Sequence, residues 1–210
     1  MPPSSRVMLQ ALAAVAAIGL FAPAHGAGDP ARGKQLSYTC LGCHGIPDYK
    51  NVYPTYSVPE LAGQHPEYIV AALKEYRSGE RSHATMHEQA ASLSDQDMQD
   101  IAAYFGADPL KPTAEPVGTA PAKIALCGSC HGKNGVGLTG DYPTLAGQHA
   151  DYIARALHEY QHGDRKNAIM PNFVAGLTDE EIGDIAEYFS RQSPPLHTVK
   201  RRVSFLSSAN

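Results

Sequence analysis

The chain has 210 residues with 17 basic and 21 acidic side chains, a formal net charge of −4, and four cysteines. That balance excludes a basic surface for nucleic acid, and the length suits two small globular domains better than one large core. Residues 29–108 carry 11 acidic against 6 basic side chains and residues 119–192 carry 9 against 6, so neither half is basic on its own.

The first feature in chain order is a leader. Arg6 is a positive start, Val7 to Phe21 is a mostly apolar run, and Ala22-Pro23-Ala24 or Ala24-His25-Gly26 offers a small-residue cleavage site. The run is short of the roughly 20 apolar residues a membrane helix needs, and it contains Gln10. Residues 1–27 are therefore expected to be a signal peptide that exports the chain to the periplasm. An uncleaved anchor is the alternative, which leaves membrane association open.

Asp29-Pro30 has the form of an N-cap followed by proline at the first helical position, leading a helix into Cys40-Leu41-Gly42-Cys43-His44. A second pentapeptide, Cys127-Gly128-Ser129-Cys130-His131, follows a helix that Pro121 can open. Cys-x-x-Cys-His is the attachment signature of c-type haem. Two thiols one turn apart suit thioether bonds to the two vinyl groups, and the adjacent imidazole is then placed to ligate the iron. The two motifs use every cysteine in the chain. A thioredoxin-like pair needs a βαβ setting, and neither motif has strand-like flanks. A zinc ribbon needs its two arms within about 20 residues of each other. Structural disulfides give no reason for the histidines.

The rest of the chain reads as a duplication. Leu61-Ala62-Gly63-Gln64-His65 recurs 84 residues later as Leu145-Ala146-Gly147-Gln148-His149, and Tyr68, Glu75, Tyr76, Arg81 and Tyr104-Phe105 recur at the same shift. Helical spacing of Ile69, Leu73 and Tyr76 predicts a helix over 66–77, and Ile153, Leu157 and Tyr160 predict its copy over 151–161. Gly79 and Gly163 stand where left-handed residues end such helices. Ser94 with Asp97, and Thr178 with Glu181, have capping-box spacing before a closing helix in each unit. Its apolar face is Met98, Ile101, Ala102 and Phe105 in the first copy and Ile182, Ile185, Ala186 and Phe189 in the second. His65 and His149, each just before a helix, read as loop or cap residues.

These signals divide the chain into a first domain at 28–108, a proline-rich linker at 109–118, a second domain at 119–193 and a polar, flexible tail at 194–210 with Lys200, Arg201 and Arg202. The fold class is all-α, two tandem domains each wrapped around one covalent haem. Met170, in a predicted loop before the closing helix, is the sixth-ligand candidate of the second unit, and Met86 is its counterpart at the 84-residue shift. His83 and His87 flank Met86 as alternative ligands.

The chain resembles the dihaem class I cytochromes of the cytochrome c4 family. The resemblance rests on the two Cys-x-x-Cys-His motifs, the Pro-x-Leu-Ala-Gly-Gln segments at 59–64 and 143–148, the methionine segments, and the Leu-Ser/Thr-Asp helix starts at Leu93 and Leu177. It implies two small cytochrome c folds and two covalently bound haem c groups held by Cys40, Cys43, Cys127 and Cys130. The implied axial pairs are His44 with Met86 and His131 with Met170. The implied function is single-electron transfer in a respiratory chain, from a donor complex to soluble or membrane-bound partners such as a terminal oxidase, with no small-molecule substrate turned over and no enzymatic activity. The alternatives are a dihaem subunit of a flavoprotein sulfide dehydrogenase, a dihaem peroxidase or a thiosulfate dehydrogenase. Arg81 and Arg165 either contact haem propionates or lie in solvent.

Overall fold

The computed structural model describes residues 28–112 and 115–199. The expected leader at 1–27, Thr113 and Ala114 of the linker, and the basic Lys200, Arg201 and Arg202 lie outside the described residues. Among the described residues there are eight α-helices and no β-strand, and none of the helices is long and apolar enough to cross a membrane.

The local signals explain the helix ends. In α1 (Pro30–Leu36) the Asp29 carboxylate accepts hydrogen bonds from the Ala31 and Arg32 amides, with Pro30 in the first turn. Helices α2 (Pro66–Ser78) and α6 (Ala150–His162) stop at Gly79 and Gly163, whose φ angles of 79° and 80° are left-handed. Helices α4 (Asp95–Phe105) and α8 (Asp179–Ser190) start with complete capping boxes, Ser94 with Asp97 and Thr178 with Glu181. Both bury the expected apolar face: Met98, Ile101, Ala102 and Phe105, and Ile182, Ile185, Ala186 and Phe189, are each exposed by 3% or less. Burying each large side chain among these contributes about 1.5–3 kcal/mol. Helix α4 packs on α1 and α2, and α8 on α6. At the first crossing a Cβ on Gly33 would lie 1.8 Å from the Asp100 carbonyl oxygen, so α1 reaches α4 only because position 33 has no side chain.

Three expectations need correction. The segments with Met86 and Met170 are short helices, α3 (Ala84–Ala91) and α7 (Met170–Val174), where loops were predicted. Eight and five residues are too few to show a helical period, and their starts are held locally: His83 Nδ1 accepts from the Met86 amide, and Asn167 Oδ1 accepts from the Ile169 and Met170 amides. Second, α5 (Ile124–His131) begins three residues after Pro121 and contains the whole second pentapeptide, whereas the first pentapeptide begins in a 3₁₀ turn (Cys40–Gly42) beyond α1 and leaves it at Cys43. Third, residues 194–199 of the predicted flexible tail are packed. Leu196 is 3% exposed and donates to the Ala146 carbonyl at 2.8 Å, and His197 exchanges two 3.1 Å backbone bonds with Ala62. The polar composition hid one buried leucine and a row of backbone donors with partners in both units.

The duplication also builds the contact between the units. The Gln64 side chain donates to the Thr144 carbonyl at 2.9 Å and accepts from the Thr144 amide at 2.8 Å. Gln148 does the same with the Glu60 backbone, both at 3.0 Å. Ser82 donates to the Asp164 carbonyl at 2.8 Å and Lys166 to the Glu80 carbonyl at 2.7 Å. Every one of these pairs maps onto its mate by the 84-residue shift, so the two units face each other across a pseudo-twofold axis.

One interface contact breaks that symmetry and is sensitive to pH. His149, the N-cap residue of α6, places Nε2 3.5 Å from the Glu60 carboxylate, which raises the imidazole above its ordinary value. Burial works to raise Glu60, but bonds to His149 and Thr198 outweigh it and leave the carboxyl lowered. The raised histidine contributes stability that is complete below its unfolded value near 6.5 and is lost as pH rises through the higher folded value. The pair is partly exposed, so the expected loss in unfolding free energy between about pH 6 and 8 is under about 1 kcal/mol. Denaturant titrations should show this slope, and His149→Gln should remove it.

Candidate functional site

Each pentapeptide is held where its histidine meets a proline carbonyl of the repeated Pro-x-Leu-Ala-Gly-Gln segment. His44 Nδ1 lies 2.8 Å from the Pro59 oxygen and His131 Nδ1 lies 2.8 Å from the Pro143 oxygen. A carbonyl can only accept, so Nδ1 carries the proton and Nε2 keeps its lone pair, the arrangement that orients a metal-ligating imidazole. Burial lowers both imidazoles below their ordinary value, which keeps them neutral. None of the four cysteines is paired in a disulfide, which leaves each sulfur for a thioether bond. Among the described residues no three His, Cys, Asp or Glu side chains gather as a group that could hold a metal ion.

In the first unit Cys40, Cys43, His44 and Met86 line one cavity, with an apolar wall that includes Leu73 and Phe105. Its donors are two thiols, an imidazole with a free Nε2 and a thioether, set against hydrocarbon. That set fits a covalently attached haem in its chemistry. In the second unit Cys127 and Met170 pack against the core formed by Ile153, Leu157, Ile185 and Phe189. The two alternative ligands beside Met86 are both engaged. His83 caps α3 through Nδ1 although it also faces the cavity, and His87 Nδ1 is held 2.8 Å from the Tyr76 carbonyl.

The comparisons with known proteins point the same way. A family model described as cytochrome c matches residues 30–106, and one described as cytochrome c oxidase, cbb3-type, subunit III matches residues 122–189. The cytochrome c4 of Pseudomonas aeruginosa is 36% identical over 188 residues, covering 81% of this chain and 92% of that one. The chain belongs to the cytochrome c4 family. The crystal structure of reduced recombinant cytochrome c4 from Pseudomonas stutzeri superimposes with a TM-score of 0.61 at 30% identity, covering 79% of this chain and all of that one. A protein of Stutzerimonas stutzeri named thiosulfate dehydrogenase electron acceptor is 33% identical over 87% of this chain and 90% of its own. As a cytochrome c4 family member with two cytochrome c domains, the chain carries two covalently bound haem c groups and serves electron transfer.

The sequence did not expose what the two glutamines of its own repeat do. Gln64 and Gln148 join the two haem-binding units through backbone pairing, and the only trace in the sequence is their recurrence at the 84-residue shift. Arg81 and Arg165 do not lie in solvent, the second of the two places expected for them: they are 4% and 3% exposed. Their backbones bridge across the pseudo-twofold axis, and their guanidinium groups stack on Tyr76 at 4.8 Å and Tyr160 at 4.5 Å.

Proposed function

We propose that this protein is a periplasmic electron carrier in which Cys40 and Cys43 hold one haem and Cys127 and Cys130 the other. His44 with Met86, and His131 with Met170, are the axial pairs. The haem iron supplies one-electron chemistry; the chain supplies the rest. The Pro59 and Pro143 carbonyls fix the ligating tautomer, and Leu73, Phe105 and their counterparts keep water from the cavity wall. A thioether in the sixth position closes the site to exogenous ligands, which suits electron transfer over substrate turnover. The observation that carries this reading is the gathering of two thiols, a tautomer-locked imidazole and a methionine on one apolar cavity.

The proposed acceptor is a terminal oxidase. A second reading of the donor side, a thiosulfate-oxidising enzyme, is supported by the name of the Stutzerimonas stutzeri relative. With both sites closed, the reduced protein should bind carbon monoxide poorly at neutral pH and be reoxidised rapidly by an oxidase-containing membrane preparation. Substantial thiosulfate or peroxide turnover by the isolated chain would contradict the carrier reading.

A further inference from the structure

The two units carry different chemistry at one repeated place. Where α2 meets α4, Asp95 is held by two fixed cations, Lys74 Nζ at 3.0 Å and Arg77 Nη2 at 2.6 Å. At the 84-residue shift these three positions are His158, Gln161 and Asp179, where α6 meets α8, and Ser78 becomes His162. Asp179 has therefore lost both cations of its counterpart. Its side chain is 96% exposed and lies 3.9 Å from His158 Nε2, and among the described residues no lysine or arginine pairs with it.

His158 and His162 stand one turn apart on α6, with ring centroids 6.1 Å apart and planes within 10° of parallel. This i,i+4 spacing lets two imidazoles on one helix face share a metal ion. The tautomer of His158 is set by its neighbour. Gln161 gives its amide nitrogen to the Val174 and Leu177 carbonyls at 2.8 and 3.0 Å, so its Oε1 is left as the acceptor 3.3 Å from His158 Nδ1. Nδ1 then carries the proton, and Nε2 keeps a lone pair on the side of Asp179. Asp164 lines the same surface hollow and adds a second carboxylate, while Arg155 is engaged with Glu159 at 2.6 Å. His162 ends α6, and the carbonyl end of a helix favours positive charge.

We propose that His158 and His162 chelate one divalent cation of the zinc and copper class, with Asp179 and Asp164 supplying negative charge around it. Imidazole nitrogen selects such metals, whereas oxygen ligands alone would suit magnesium or calcium. Two protein ligands leave the other coordination positions to water, so the site is exchangeable and distinct from a closed structural centre. The cation takes the place that Lys74 and Arg77 fill in the first unit. The site belongs to the second unit alone and does not depend on the haem assignment.

The test is calorimetric titration of zinc into untagged holoprotein washed free of metal with a chelator. His158→Gln and His162→Gln should each bind one zinc ion fewer per chain than wild type, with the haem spectrum unchanged. His162 is exposed, so its replacement leaves the core intact. Gln161→Arg copies the first unit. It keeps a donor for the Leu177 carbonyl, as Arg77 does for Leu93 at 2.9 Å, but removes the acceptor for His158 Nδ1 and returns a cation to Asp179. It should weaken zinc binding by roughly 10-fold or more. No zinc uptake by the wild type, retention of the site in either histidine variant, or unchanged affinity in Gln161→Arg would overturn the proposal.

Discussion

Met86→Ala should lower the potential of one haem substantially, leave the other unchanged, and remove half of the weak red-edge absorption that marks methionine bound to ferric haem. Thioether ligation favours the reduced iron, and axial identity spans roughly 0.8 V across haem proteins, so the effect belongs among the largest a single substitution can produce here. The geometry favours Met86 over its neighbours. Met86 sits on α3 and faces the cavity, while His87 is partnered by the Tyr76 carbonyl at 2.8 Å. His83 faces the cavity too, but its Nδ1 accepts from the Met86 amide at 3.2 Å, so it helps hold the methionine in place. His83→Ala and His87→Ala should therefore change the potentials little. If Met86→Ala leaves the band and both potentials intact, and either histidine variant removes a ligand, the first haem is His/His ligated.

Cys127→Ser combined with Cys130→Ser should yield a protein with one haem, half the Soret absorbance per chain, and a weakened second unit. Those cysteines are the only thiols in that half, so no other side chain can take over the thioether bonds. Cys127 and Met170 pack on the same core as Ile153, Leu157 and Phe189, so losing the group bound there exposes a large apolar surface. Removing a buried group of that size costs several kcal/mol by analogy with large-to-small core changes, of which about 2–5 kcal/mol is typical for one side chain. Calorimetry should show the second unit melting well below the first. Retention of two haems by this variant would end the attachment scheme.

The caps, the glycine stops and the buried faces of α4 and α8 were legible because each depends on residues within a turn or two of one another, as with Ser94 and Asp97. The two Cys-x-x-Cys-His motifs could be picked out for the same reason, since each is a local chemical unit. The proline carbonyls that orient the histidines were not. They lie 15 and 12 residues downstream of the histidines they meet, and a carbonyl leaves no mark on residue type. The interface was hidden more deeply. Gln64 meets Thr144 and Arg165 meets Tyr68 across separations of 80 and 97 residues. A repeat shows that two units exist without showing which faces they turn to each other. The short helices α3 and α7 escaped because a period cannot be read from one or two turns.

The central claim, two covalent haems on two Cys-x-x-Cys-His motifs, is tested most directly by the intact mass of the purified protein after acid–acetone extraction. The account predicts the mass of the processed chain plus two haem groups, with the colour retained. A mass with one haem, with none, or with zinc in its place would contradict it.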